Sequence, residues 1–262
     1  MATVYKNGAV NISAAGAADG SQGCFRTRES FLHPFKTIKP SDARDPEKLY
    51  LVLPNTLWLD NIERAGLQQR GWVLQERVFS PRTLHYAVEQ VFWECRQFCA
   101  CESVPFGLEP GLYDLGLGES HIKDLIPGLM VEGYPNKLEG EHMERTFWKR
   151  VVEKFSNCDL TYVTDKLVAL SGIASEVQCF MKTEYLAGLW RSHLPYTLLW
   201  SARRGKAKRL SPGIAPSWSW ASISGPVEYP EHREMAHMDE GGWPQPLIQI
   251  LAASVTPTSA AN

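Results

Sequence analysis

A helical pattern over residues 67–80 passes directly into a strand pattern, and this succession constrains the fold most. Apolar side chains recur on one side of the helical stretch, and Pro81 is expected to end it. Alternation over residues 83–88 and an apolar run over 91–95 then predict a β-hairpin. We therefore expect a mixed fold, α/β to α+β in class.

Other segments of the chain also predict a combination of strands and helices. Residues 9–14 predict one buried strand after an Asn-Gly turn signal. Residues 144–155 predict a helix, and Thr164 is expected to cap a second helix. The apolar pattern over residues 185–202 predicts a third helical segment, which Pro195 kinks or splits.

No internal repeat, coiled coil or linker divides the chain. We expect residues 1–104 to form one part and residues 105–262 to form a helical and β region packed on it, as one continuous globular unit. Residues 105–140 are rich in Gly and Pro and predict a long surface excursion.

Composition excludes several classes of protein. The chain has 262 residues, 44% of them hydrophobic, and its net charge is -2. This balance argues against a dedicated nucleic-acid binder and against a polybasic membrane anchor. The N-terminus does not resemble a signal peptide, and six cysteines are too few for a disulfide-stapled secreted fold. We expect a cytoplasmic protein with reduced thiols.

One cysteine cluster has metal-like spacing. Cys95, Cys99 and Cys101 form a C-x3-C-x-C pattern, and His85 or His121 could supply a fourth ligand. A structural zinc site usually has paired close spacings, and the sequence offers no second pair. Buried thiols are therefore the favoured interpretation, with no metal and no resident cofactor expected.

Two further features each leave two interpretations open. The nine tryptophans indicate a Trp-rich core, or a surface for a ring-bearing ligand if Trp218 and Trp220 share one face of a strand. The basic run over residues 203–209 indicates a solvated loop, or a nuclear-import or anion-binding segment.

The candidate site lies on the first helix. Trp72, Glu76 and Ser80 are spaced at i, i+4 and i+8 and fall on one stripe. A carboxylate beside an indole is partly desolvated, which can sharpen its electrostatic effect. The alternative is a structural ion pair between Glu76 and one of the arginines Arg70, Arg77 and Arg82.

The segment RGWVLQERVFSPRTLHYAVEQVFWEC, residues 70–95, resembles the third conserved block of the fungal heterokaryon-incompatibility (HET) domain. Residues 4–28 resemble a neighbouring segment of that domain, and residues 165–178, 185–200 and 215–227 resemble the region that follows it. The family's LSYCWG-type and WIDALCIDQ-type blocks are absent, and Met1 stands where the full domain has an internal Met. The resemblance therefore implies a HET domain without its N-terminal part.

Proteins of this family act in non-self recognition that ends in programmed cell death. HET domains are remotely similar to TIR domains, some of which cleave NAD with a glutamate in a W-C-x-x-E pattern. Trp72 and Glu76 have this spacing without the cysteine. The resemblance implies a partial TIR-like α/β unit, Glu76 as the catalytic residue, NAD as substrate, and Trp72, Ser80 and Arg70 around the substrate.

The absent blocks favour a second hypothesis, a catalytically inactive truncated HET module that acts by protein–protein interaction. An incomplete sheet would expose a strand edge near residues 9–14. The expected partner is then a second copy of the chain or a full-length HET-domain protein, with no nucleic acid or membrane involved.

Overall fold

The computed structural model describes residues 1–25, 36–38, 50–109, 112, 123, 141–230 and 248–256. The helices in these ranges are α1 (Ala2–Asn7), α2 (Gly71–Phe79), α3 (Glu141–Ser156), α4 (Ser171–Met181) and α5 (Leu194–Thr197). The strands are β1 (Asn11–Ser13), β2 (Lys36–Ile38), β3 (Tyr50–Val52), β4 (Arg82–Tyr86), β5 (Val91–Cys95), β6 (Cys99–Cys101), β7 (Tyr185–Leu186), β8 (Leu189–Trp190), β9 (Ser201–Ala202), β10 (Lys208–Arg209), β11 (Ile223–Ser224) and β12 (Val227–Glu228). The predicted mixed class is confirmed.

The chain forms two compact units. The helical unit comprises residues 1–2, 69–79 and 125–262, and the sheet unit comprises residues 3–68 and 80–124. The division predicted from the sequence, at residue 104, stays a prediction. Most of the excursion expected over residues 105–140 lies outside the described residues. No helix in the described part of the chain is long and apolar enough to cross a membrane.

The sheet unit is built on four strands in the order β1-β4-β5-β6. Strand β1 runs parallel to β4, whereas β4, β5 and β6 pair in antiparallel fashion. The predicted hairpin is therefore confirmed, and Leu84 lies opposite Trp93 in it. Strand β1 is an edge strand, as expected, but Ile12 at its centre is 60% exposed, so the expectation of a buried strand was wrong there.

The more deeply buried face of the hairpin carries polar side chains beside Phe92. Thr83 and His85 on β4 are fully buried, and Glu94 on β5 is fully buried as well, whereas Leu84 and Tyr86 are only partly buried. The sequence correctly predicted that buried and exposed side chains alternate along β4. The apolar residues Leu84 and Tyr86, however, suggested that the opposite face would be the buried one. Hydrogen bonds and opposite charges among buried polar side chains explain this burial.

In the helical unit, the first predicted helix ends as expected. Helix α2 stops at Phe79, because a residue that precedes proline is disfavoured in helical geometry. The helix predicted over residues 144–155 is confirmed as α3. The expected cap at Thr164 was wrong, because two short 3-10 turns precede α4, which begins only at Ser171.

The third helical segment predicted from the sequence is confirmed only for Leu194–Thr197, which form α5, and was wrong for residues 185–190. Residues 185–190 form the short hairpin β7–β8 instead. Its turn consists of Ala187 at φ 45° and Gly188 at φ 100°, both in the left-handed region that a right-handed helix excludes. Pro195 stands at the start of α5, where its missing N–H is tolerated.

Large aromatic side chains fill the core of the helical unit. Trp148, Trp190 and Trp220 are each at most 1% exposed. The rings of Trp148 and Trp190 meet edge to face, with centroids 5.2 Å apart. Trp220 begins a 3-10 turn rather than lying on a strand, so the ring-binding surface considered for Trp218 and Trp220 is not formed.

Candidate functional site

Of the nine residues of helix α2, seven are buried and only two are partly exposed to solvent. Gly71, Val73–Gln75 and Arg77–Phe79 are buried, whereas Trp72 and Glu76 are partly exposed. Residues four apart lie one above the other on a helix, so these two side chains share a single accessible stripe. This stripe coincides with the first two positions of the predicted site.

The start of α2 is fixed by the loop that follows α3. The Gly71 N–H donates to the Asp159 carbonyl at 2.9 Å, and the Asp159 N–H donates to the Gln69 carbonyl at 2.6 Å. A Cβ at Gly71 would lie 2.7 Å from Leu160 Cδ2 and 3.0 Å from Phe155 Cε2. A larger residue at this position would therefore displace the Leu160 and Phe155 side chains, which pack against the start of the helix.

The other two predicted site residues have different environments. Arg70 is exposed, and its backbone forms a bridge with Asp159 directly before α2. Ser80 belongs to the sheet unit and is only 1% exposed. Its backbone carbonyl accepts a hydrogen bond from Lys123 Nζ at 2.6 Å. Within the helical unit, the accessible candidates are thus Arg70, Trp72 and Glu76.

Glu76 takes part in a polar or electrostatic interaction, so it is not an isolated carboxylate. A structural ion pair with an arginine stays a prediction, as does a catalytic role. The partial exposure of Glu76 is compatible with both, because its side chain still reaches solvent.

Sequence reasoning missed a buried charged cluster in the sheet unit. His85 Nε2 lies 3.0 Å from Glu94 Oε2, and Lys123 Nζ lies 3.8 Å from the same oxygen. The Lys123 ammonium also donates to Thr83 Oγ1 at 3.0 Å and to the Ser80 carbonyl. The ammonium offsets the carboxylate charge, and the neighbouring oxygens satisfy its remaining protons.

The register of the hairpin could have revealed the part of this cluster that Thr83, His85 and Glu94 form. Thr83 lies directly opposite Glu94, and His85 lies two residues further along the same face. Cross-strand and diagonal neighbours on one face of an antiparallel pair are within side-chain reach. All three ionisable side chains are shielded from solvent, so they compensate one another inside the sheet unit.

The three clustered cysteines are buried free thiols. They lie on β5 and β6, where Cys101 Sγ is 3.2 Å from Ser103 Oγ. Among the residues that the structure describes, no group of three or more His, Cys, Asp or Glu side chains is arranged to hold a metal ion. His121, considered above as a fourth ligand, lies outside the described residues.

Comparison with known protein families gives one match. The model of the family Heterokaryon incompatibility protein (HET) matches residues 1–76. The matched range includes β1 and ends at Glu76 on α2, so it covers most of the candidate site and confirms the HET resemblance for this part of the chain. The comparisons with curated proteins and with solved structures give no match.

Proposed function

We propose that this chain, whose residues 1–76 match the HET family, acts in heterokaryon incompatibility, a fungal non-self response that ends in programmed cell death. The family match supports the assignment to this response. We further propose that the chain cleaves NAD with Glu76 as the catalytic residue. The observation that carries this second step is the accessible stripe of Trp72 and Glu76 on an otherwise buried helix.

The proposed reaction is hydrolysis of the bond between nicotinamide and ribose. Nicotinamide leaves with the bonding electron pair, positive charge develops on the ribose, and water attacks the same carbon and loses a proton. This charge resembles the oxocarbenium-like state of glycoside hydrolysis. The Glu76 carboxylate stabilises the charge electrostatically and accepts hydrogen bonds from the ribose hydroxyls.

The neighbouring residues have separate proposed roles. Trp72 stands one helical turn before Glu76, where its indole walls the ribose from water. Arg70 precedes the helix with an exposed guanidinium, which suits the phosphates of NAD because it forms paired hydrogen bonds to them. Ser80 is left out of this proposal because its side chain is buried.

The test is nicotinamide release from NAD by the full chain and by Glu76→Gln, which removes the charge but keeps the shape. Loss of a carboxylate that stabilises the transition state should reduce kcat by about 100-fold. Glu176→Gln is the matched control, because Glu176 is another partly exposed glutamate on a helix of the same unit. Circular dichroism checks that both variants fold.

The two substitutions separate catalysis from a structural role. Equal turnover by Glu76→Gln and Glu176→Gln would refute the catalytic role of Glu76. No turnover by the folded native chain, at any protein concentration, would refute the proposed activity as a whole.

One observation favours a second candidate function, a non-enzymatic HET module that binds a full-length HET-domain partner. Strand β1 lies at the edge of the four-stranded sheet, and Val10 and Ile12 beside and within it are 46% and 60% exposed. An exposed edge strand offers unpaired backbone groups to another strand. Binding of this kind needs no contribution from Glu76.

The second candidate predicts a larger complex in size-exclusion chromatography when a HET-domain partner is added, without NAD turnover. Ile12→Lys should weaken that complex by about tenfold, because a charged side chain on an edge strand opposes strand pairing. Val4→Lys is the control, because Val4 is 73% exposed but lies outside the sheet. A complex that survives Ile12→Lys unchanged would exclude β1 as its binding surface.

A further inference from the structure

The longest stretch without an acidic residue contains the basic run of the sequence. No Asp or Glu occurs between Glu184 and Glu228, whereas this stretch holds six Lys and Arg residues. Five of the six fall within residues 203–209, and all five side chains are exposed. Positive charge is thus concentrated in one loop of a chain whose net charge is -2.

Paired strands fix both ends of this basic loop, residues 203–209. Strand β9, before the loop, pairs with β12, and strand β10, at its end, pairs with β11. The Arg203 N–H donates to the Pro226 carbonyl at 3.0 Å, and the Lys206 N–H donates back to the Arg203 carbonyl at 3.1 Å. The backbone of the basic loop is therefore anchored at both ends.

The turn between β11 and β12 packs directly against the basic loop. Gly225 has φ 111°, and a Cβ there would lie 2.8 Å from Ala207 Cα. The same Cβ would also collide with the Lys206 carbonyl oxygen. Such pre-organisation lowers the entropy that is lost when a ligand is bound.

Most of the charges on the basic loop are available to a ligand. Arg203 Nε lies 3.5 Å from Glu228 Oε1, and both side chains are about half exposed. Arg209 donates to Ser222 Oγ at 3.3 Å, a neutral acceptor. No carboxylate lies within ion-pair distance of Arg204, Lys206 or Lys208 among the residues that the structure describes. The Arg203–Glu228 pair shows that a carboxylate fits against this loop.

We propose that the basic loop binds an acidic peptide segment of a partner protein through clustered Asp and Glu carboxylates. Without the five positive charges of the loop, the chain has a net charge of -7, which opposes binding to an extended anionic surface such as a membrane or a long duplex. A short peptide meets only the loop, because charges interact over about 10 Å at ordinary ionic strength. The proposal does not depend on the activity proposed for Glu76.

The test is fluorescence anisotropy of a labelled ten-residue peptide of alternating Glu and Asp, with the full chain as titrant. The triple variant Arg204→Gln, Lys206→Gln, Lys208→Gln should weaken binding by about tenfold, as expected for three exposed ion pairs. The control variant Arg64→Gln, Arg82→Gln, Lys182→Gln removes the same charge from exposed sites outside the loop. It should bind within about twofold of the native chain.

Three results would overturn the proposal. The first is no binding of the acidic peptide at low salt, or equal binding of a Gln/Asn peptide of the same length. The second is equal weakening by the two triple variants, which would indicate attraction by overall charge. The third is tighter, loop-dependent binding of a DNA duplex or of vesicles with anionic phospholipid, which would assign the loop to phosphate instead of carboxylate.

Discussion

His85 and Glu94 meet inside the sheet unit, where the imidazole Nε2 lies 3.0 Å from the carboxylate Oε2 and neither side chain is exposed to solvent. The two residues project from adjacent strands onto the same face of the β4–β5 hairpin. Burial of a carboxylate is costly unless hydrogen bonds and an opposite charge compensate it. Here the His85 imidazole forms the hydrogen bond to Glu94, and the Lys123 ammonium provides the opposite charge.

Glu94→Gln should therefore destabilise the protein strongly. The substitution keeps the shape of the side chain but leaves the Lys123 ammonium buried without its counter-charge, which costs about 3 kcal/mol. Urea denaturation measures this loss. Glu89→Gln, at the exposed end of the same hairpin, should cost less than about 0.5 kcal/mol. Similar losses in the two variants would show that the cluster contributes nothing specific.

Sequence patterns correctly predicted those helices and strands that depend on their own residues and not on contacts with distant parts of the chain. Helix α3 has enough apolar side chains at helical spacing to be identified alone, and Pro81 ends the preceding helix by its own chemistry. Residues 185–190 also contain apolar side chains at helical spacing, but they form a hairpin. Two consecutive left-handed residues, Ala187 and Gly188, reverse the chain there, and only glycine at the second position hinted at this.

The candidate site was predictable only where one helix defines it. The i, i+4 spacing was sufficient to place Trp72 and Glu76 together, because helical geometry relates them without any tertiary information. Ser80 stands beyond the end of α2, so the extrapolation to i+8 failed when Pro81 ended the helix. The His85–Glu94–Lys123 cluster required knowledge of strand register and of a contact between Glu94 and Lys123, which stands 29 residues further along the chain.

Gly188 connects two tryptophans in the core of the helical unit. The indole N–H groups of Trp148 and Trp220 both donate to the Gly188 carbonyl, at 2.7 and 2.9 Å. Gly188 has φ 100°, and a Cβ there would lie 2.6 Å from Trp220 Nε1. The position thus requires glycine both for its backbone conformation and for the space that the indole occupies.

Gly188→Ala should cost about 3 kcal/mol, since backbone strain and overpacking of the core add together. Gly213→Ala separates the two causes: Gly213 has φ 97°, but no atom lies within 4 Å of its Cβ position. That control should lose only about 1 kcal/mol from strain. Thermal unfolding followed by tryptophan fluorescence measures the stability of both variants. Equal losses of stability in Gly188→Ala and Gly213→Ala would show that the clash with Trp220 contributes nothing.

Lys166 is a buried cation in the same core. Its ammonium donates to the Ile223 carbonyl and lies 5.3 Å from the centre of the Trp220 ring. Burial lowers the pKa of Lys166 from 10.5 to about 8, because desolvation disfavours the charged form. Burial raises the pKa of the Tyr185 and Tyr229 hydroxyls for the same reason.

These shifts predict how stability depends on pH. Between pH 8 and 10 the unfolded chain keeps a proton on Lys166 that the folded chain has lost, so the free energy of unfolding should rise by about 2 kcal/mol. Above pH 10 the two phenols ionise only when the chain unfolds, and stability should fall. In Lys166→Met, the free energy of unfolding should no longer rise between pH 8 and 10, but it should still fall above pH 10. Urea denaturation at several pH values compares the two proteins, and a difference between them that stays constant from pH 7 to pH 10 would contradict the lowered pKa of Lys166.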